Sequence, residues 1–131
     1  MSLVNLVGYQ VNKYSFENSL ANGTKISLQT KYSYNVKFAE SNHHCKGELS
    51  CELCDKDNPD KFVLKLTMTG VFTYKADAEK ANIHVDSFKA LFPYAKTYVA
   101  MVTAAGGIPP VSLPDIDIEK QSIYSFQKPT P

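Results

Sequence analysis

From Ile26 onward the even positions carry Ile26, Leu28, Thr30, Tyr32, Tyr34, Val36 and Phe38, while the odd positions carry Lys25, Ser27, Gln29, Lys31, Ser33, Asn35 and Lys37. Side chains on a strand alternate between faces, so this period of two predicts one long antiparallel strand, buried on one face and wet on the other. Leu49, Cys51 and Leu53 alternate with Glu48, Ser50 and Glu52, and Phe62, Leu64, Leu66, Met68, Phe72 and Tyr74 restart the pattern. These predict a third and a fourth strand. Between them, Asp55-Lys56-Asp57-Asn58-Pro59-Asp60 combines turn formers with a proline that has no ladder donor, which predicts a hairpin. Residues 3–18 read as a first strand with an untidy alternation, Val7, Tyr9 and Val11 at period two and Ser15-Phe16-Glu17 at its end. Asn22-Gly23 tolerates positive φ, so the chain is expected to reverse there through a hairpin or a short connection.

The period changes after Tyr74. Phe88, Leu91, Phe92, Ala95, Val99 and Val102 recur at spacings of three and four, one apolar stripe on a helix that ends at Gly106-Gly107. Pro93 lies inside that stripe and predicts a start or a kink there. Ile108-Pro109-Pro110-Val111-Ser112-Leu113-Pro114 is too rich in proline for a helix or a central strand and reads as an extended surface linker. A short second helix is expected over about 117–126, with Ile116, Ile123 and Tyr124 facing inward. The fold class that follows is α+β: a four-stranded antiparallel sheet with one long and one short C-terminal helix on one face, in a single domain over 1–131. Two helices cover only part of such long strands, so a surplus apolar strip is left for a partner or another subunit.

Composition narrows the function. The 14 basic and 13 acidic side chains are spread along the chain and leave a formal charge of +1, so no basic stripe offers itself to nucleic acid. No apolar run approaches the roughly 20 residues that span a bilayer, and no membrane insertion is expected. Met1-Ser2-Leu3 runs into strand-like sequence without the parts of a signal peptide, which makes a cytoplasmic location the expectation. Cys45, Cys51 and Cys54 are an odd set that suits reduced thiols. Eight tyrosines with no tryptophan, many in alternating patterns, suit half-wet surfaces that contact partners.

Leu91-Phe92-Pro93-Tyr94-Ala95-Lys96, followed by Gly106-Gly107-Ile108-Pro109 and Leu113-Pro114, resembles the helix-and-linker signature of the SecB family of protein-export chaperones. Ser15-Phe16-Glu17 is similar to the end of that family's first strand and Gly70-Val71-Phe72 to the end of its fourth, so the resemblance spans about residues 5–125. It implies an ATP-independent holdase for unfolded polypeptides or preproteins, without a cofactor, assembled as a homotetramer built from dimers. Clients of that family lie in apolar grooves between sheet, linker and helix, and by position the matching surface here draws on Tyr32, Tyr34, Leu66, Phe72, Ile108, Val111 and Leu113. A groove of this kind suits an extended client, which offers alternating side chains without one required sequence. In the export chaperones the outer sheet face and a tail carry acids that dock the SecA motor. Glu17 keeps one such position, whereas Lys13 and Lys65 stand where the family has acids and Gln127-Lys128-Pro129-Thr130-Pro131 carries none. Charge reversal weakens docking, so the SecA contact is the part of the family pattern followed least. Relatives of the family also serve single clients, antitoxins among them, and such a role would tolerate that loss.

Other chemistry is weaker. Cys51-x-x-Cys54, with His43, His44 and Cys45 nearby, has zinc-ligand spacing, but residues three apart on a strand point to opposite faces and no second ligand pair follows, so no metal site is expected. A cysteine nucleophile beside His43 or His44 lacks an orienting third group. Asp55, Asp57 and Asp60 lack the glycine and terminal glutamate of a calcium loop. The alternative to a polypeptide-binding chaperone is a small enzyme or ligand binder that uses the cavity under the helix.

Overall fold

The structure, a computed structural model, describes residues 3–39, 42–116 and 118. Its elements in chain order are β1 (Val4–Asn18), β2 (Leu28–Phe38), β3 (His44–Asp55), β4 (Phe62–Tyr74) and α1 (Lys80–Ala105). The strands form one antiparallel sheet in the order β1-β4-β3-β2. The α+β reading and the β3–β4 hairpin therefore hold. A hairpin between β1 and β2 does not, because these two strands occupy opposite edges. Residues 19–27 are a crossover instead, pinned where Ser19 N–H donates to Lys61 O (2.7 Å) and Lys56 N–H donates to Ser27 O (2.7 Å). The turn expected at Asn22-Gly23 is present within it, with Gly23 at φ 81° and Thr24 N–H donating to Ala21 O.

The irregular alternation of β1 has a structural cause. Its register against β4 shifts between Leu6 and Gly8 and again between Val11 and Lys13, two bulges that each admit one extra residue. Val7 thereby leaves the period to which Tyr9 and Val11 belong and is exposed. With both shifts counted, Val4, Leu6, Tyr9, Val11, Tyr14 and Phe16 pair with Tyr74, Phe72, Gly70, Met68, Leu66 and Leu64, so one row of β1 side chains stays on the helix side.

That side is the core. Leu49, Leu53, Leu64, Leu66, Met68 and Phe72 of the sheet are buried against Ile83, Phe88, Leu91, Ala95 and Val99 of α1. Each of these side chains except Ala95 contributes about 1.5–3 kcal/mol of transfer free energy. The helix begins at Lys80, well before Pro93, and runs through it unbroken. Pro93 is exposed, so the backbone bond it cannot make faces water. At the other end Gly106 and Gly107 divide the work of termination. Gly107 takes φ 90°, and a Cβ on Gly106 would sit 2.8 Å from the Phe16 ring. The short second helix expected over 117–126 lies outside the described residues, apart from Ile118, which is buried.

His84 belongs to this core, its ring 5.2 Å from that of Tyr34, and burial lowers its pKa below the usual 6.5. The unfolded chain therefore takes up this proton at a higher pH than the native state does. Stability from neutral His84 is complete above about pH 6.5 and is lost as pH falls from there towards the lowered native value. Melting temperature should drop between pH 7.5 and 5.5, by less in His84→Phe; an identical drop in the variant would place the acid sensitivity elsewhere.

Candidate functional site

Two chain segments that are neither helix nor strand face each other at one end of the fold. The crossover supplies Leu20 and Ile26, the first residue of β2 supplies Leu28, and the linker after α1 supplies Ile108, Pro109 and Val111; Phe62 also lines the space between them. The groove measures about 520 Å³. Ile26 and Leu28 are 36% and 41% exposed, large aliphatic side chains that the monomer leaves uncovered. No ionisable side chain lines this groove among the described residues.

Each wall is held by specific bonds. On the crossover side the Asp55 carboxylate accepts from Asn58 Nδ2 (2.9 Å) and from Ser27 N–H (2.8 Å), bonds that keep its pKa below the usual carboxylate range. On the linker side Thr103 sits in the last turn of α1. Its carbonyl accepts from Ile108 N–H (3.3 Å) and its hydroxyl from Val111 N–H (2.8 Å). Leu113 is buried and anchors the linker, and beyond it Tyr32 Oη donates to Pro114 O (3.4 Å) while Lys96 pairs with Asp115 (3.0 Å). Proline fixes φ, so Pro109 and Pro110 stiffen the span between these ties. The result is an apolar groove with preformed walls, which lowers the ordering cost of binding.

The seven residues expected at a client surface divide accordingly. Ile108 and Val111 line the groove, whereas Tyr32 is not part of its lining and stands half-buried, edge-on to Phe92 at 6.3 Å. Tyr34, Leu66 and Phe72 lie in the core beneath α1, at 4%, 1% and 0% exposure, and Leu113 is buried as the linker's anchor. Tyr34, Leu66 and Phe72 pack in the core because the helix covers the sheet face they occupy, and Leu113 packs against the same core from the linker. Leu20, Ile26, Leu28 and Phe62 were not singled out by sequence. The available signal was an apolar pair directly after the Asn22-Gly23 turn, which reads as strand rather than as groove wall.

The polar expectations also find their places. Glu17, Lys13 and Lys65 are exposed on the outer face of the sheet, opposite α1. Cys51 shares the inner row with Tyr32 and Leu66, whereas Cys54 pairs with Gln29 and Val63 in an outer row, so the two thiols diverge. Burial pushes the Cys45 and Cys51 thiols up to about 11, which leaves them protonated at neutral pH and poor as nucleophiles. Among the described residues no group of three or more His, Cys, Asp or Glu converges, and no helix is long and apolar enough to cross a membrane.

Comparison with known proteins agrees with this architecture. The family model for preprotein translocase subunit SecB matches residues 9–129. The protein-export protein SecB of Neorickettsia sennetsu is 35% identical over 74 residues, 51% of this chain and 45% of that protein. The protein-export protein SecB of Ruegeria sp. is 25% identical over 126 residues, 87% of this chain and 76% of that protein. In its alignments to the first three relatives the chain spans less than half of their length. Among solved structures, a SecB-like chaperone of Mycobacterium tuberculosis, in complex with a peptide from an antitoxin, superposes with a TM-score of 0.69 at 14% identity, covering 86% of this chain and 90% of that one. A protein of unknown function from Streptococcus agalactiae gives 0.57 at 17% identity, covering 86% and 97%. These two likenesses show the fold. With a family model that matches nearly its full length, on a sheet and helix of this topology, the chain belongs to the SecB family.

Proposed function

We propose that this chain is an ATP-independent holdase that captures unfolded polypeptides in the groove between the crossover and the post-helix linker. The observation that carries the reading is the groove itself: preformed walls, exposed aliphatic side chains and no ionisable group. A mainly apolar surface without a charge, its polar lining limited to Asn18, Asn22, Thr24 and Ser112, accepts many sequences and selects for unfoldedness. An enzyme would need a positioned acid or base, and no ionisable side chain among the described residues lines the groove to activate the Thr24 or Ser112 hydroxyl. Family membership supports the same role, and with it a cytoplasmic location.

Within that role we favour a dedicated client over delivery to SecA. Lys13 and Lys65 stand on the outer face beside the single retained Glu17, a poor match for a motor that docks on acids. The SecB-like chaperone of Mycobacterium tuberculosis that shares this fold is in complex with an antitoxin peptide, which supports a reading with one specific client. A homotetramer built from dimers suits the surplus apolar surface on the other side of the helix. There Tyr9 packs on Tyr94 at 4.6 Å and Tyr14 on Tyr98 at 5.5 Å, while Tyr9, Tyr14, Tyr94 and Met101 remain exposed.

Purified protein should suppress the aggregation of a chemically unfolded client at near-stoichiometric ratio, without ATP, as followed by light scattering. Absence of suppression across several unrelated clients would remove the general holdase. The dedicated reading then rests on co-expression: a client encoded beside this chain should become soluble only in its presence.

A further inference from the structure

The outer face of the sheet carries a second depression, of about 530 Å³, to which all four strands contribute, among them Gln10 and Asn12 of β1, Thr69 of β4, Lys46 and Glu48 of β3, and Lys37 of β2. It shares no residue with the apolar groove. At one end Lys37 and Lys46 are register partners on adjacent strands, both exposed. Like charges directly opposite each other destabilise a strand pair. Among the described residues neither lysine has an ion-pair partner. Elsewhere the same face shows the compensated arrangement: Lys31, Glu52 and Lys65 form one row across β2, β3 and β4, with the acid between the two bases. The row of Lys37 and Lys46 continues into Val71 and Gly8, so nothing in it offsets the two charges.

We propose that this depression docks an acidic polypeptide segment, with carboxylates over Lys37 and Lys46 and backbone groups against the amide side chains of Gln10 and Asn12, the latter oriented by Thr69 Oγ1, which donates to Asn12 Oδ1 (2.6 Å). Charge complementarity selects this partner. By register the outer face holds Lys13, Lys31, Lys37, Lys46 and Lys65 against Glu17, Glu48 and Glu52, five bases to three acids. Glu48 lies one row from the lysine pair, opposite Asn35 and Thr69, and would sit under a neutral position of the segment. A nucleic acid repeats its phosphates too closely to avoid these carboxylates, whereas a peptide spaces its acids. The amide side chains of Gln10, Asn12 and Asn35 in the lining suit an extended backbone, which offers them donors and acceptors. This site acts whether or not the groove binds clients.

The test is fluorescence anisotropy with a labelled Glu-Ser repeat peptide, its Gln-Ser counterpart and a duplex oligonucleotide, at low and at physiological salt. The Glu-Ser peptide should bind saturably and more weakly at higher salt. Its affinity should fall about tenfold or more in K37E/K46E and stay unchanged in Val111→Asp. Relief of the repulsion should also raise the melting temperature of Lys46→Glu by about 1–4 °C. Equal binding of the Gln-Ser peptide, undiminished binding by K37E/K46E, or preference for the oligonucleotide would overturn the proposal. So would a Lys46→Glu protein that melts at or below the wild type, since the lysine pair would then carry no repulsion for a partner to relieve.

Discussion

Replacing Gly47 with valine should abolish cooperative unfolding or lower the melting temperature by well over ten degrees, the largest stability effect expected of any single change in the sheet. Gly47 pairs with Gly70 on the neighbouring strand, so two adjacent positions of the inner face lack side chains. The rings of Tyr34 and Phe72 lie over this gap. A Cβ on Gly47 would overlap the Tyr34 hydroxyl and stand 2.8 Å from the ring carbon that bears it, and one on Gly70 would meet Phe72 at 2.9 Å. Tyr34 cannot swing away cheaply, because its hydroxyl is buried in a 2.6 Å hydrogen bond with Ser87 on α1 and its ring packs edge-on to Phe88 at 5.3 Å. Overpacking costs about 1–3 kcal/mol, and an orphaned buried hydroxyl about 1–3 more. Against a total stability of about 5–15 kcal/mol this is a large share. Gly8 is the control, since nothing lies within 4 Å of a Cβ built there. Melts of Gly47→Val and Gly8→Ala followed by circular dichroism decide it: a valine variant as stable as the alanine one would mean that the Tyr34 ring is not seated as described.

Gly47 also shows why a reading of the sequence stopped where it did. Period two in 26–38 and 62–74 was enough to place β2 and β4, because every second side chain there is committed to one face. It could not rank Tyr32 against Tyr34. Both are inward positions of one strand, yet Tyr34 lies over a glycine gap and bonds to Ser87, whereas Tyr32 reaches Pro114 at the rim. Which tyrosine is core depends on what stands across the sheet and above it, and neither is local in sequence. The start of α1 was missed for a related reason. Its upstream stripe includes His84 and Ser87, polar residues buried through partners on β2, so the apolar period shows only from Phe88.

Strand order was likewise beyond local pattern. Consecutive strands usually pair, and a turn-forming Asn22-Gly23 between two strand-like runs favours a hairpin. Here the crossover sends β2 to the far edge, and the anchoring is by Lys61, Asp55 and Asn58 at the tip of another hairpin. The groove exists because of that choice. Ile108 and Val111 were legible, since a proline-rich linker must run over the surface, but their opposite wall is made of residues whose strand-like pattern continues one or two positions beyond the strand itself. The divergence of Cys51 and Cys54, by contrast, follows from strand parity alone.

Ile26→Asp and Ile108→Asp should each weaken capture of an unfolded client by about a hundredfold or more while leaving the fold intact. A client segment in the groove would desolvate the new carboxylate, at a cost of several kcal/mol, and no basic side chain lines the groove to pair with it. The folded monomer pays little, because Ile26 is already 36% exposed and Ile108 only half-buried, so the charge stays in water; the change in stability should remain within about 1 kcal/mol. Leu113→Asp is the opposite case, a residue of the same linker at 1% exposure, and should cost about 3–5 kcal/mol or prevent folding. The three variants thus separate binding surface from core within one stretch of chain. Capture is read from the anisotropy of a labelled, permanently unfolded polypeptide and stability from denaturant titration. Wild-type capture by both groove variants would move the client surface to the exposed tyrosines of β1 and α1. If instead Ile26→Asp unfolds as readily as Leu113→Asp, the crossover is packed structure and the groove has only one wall.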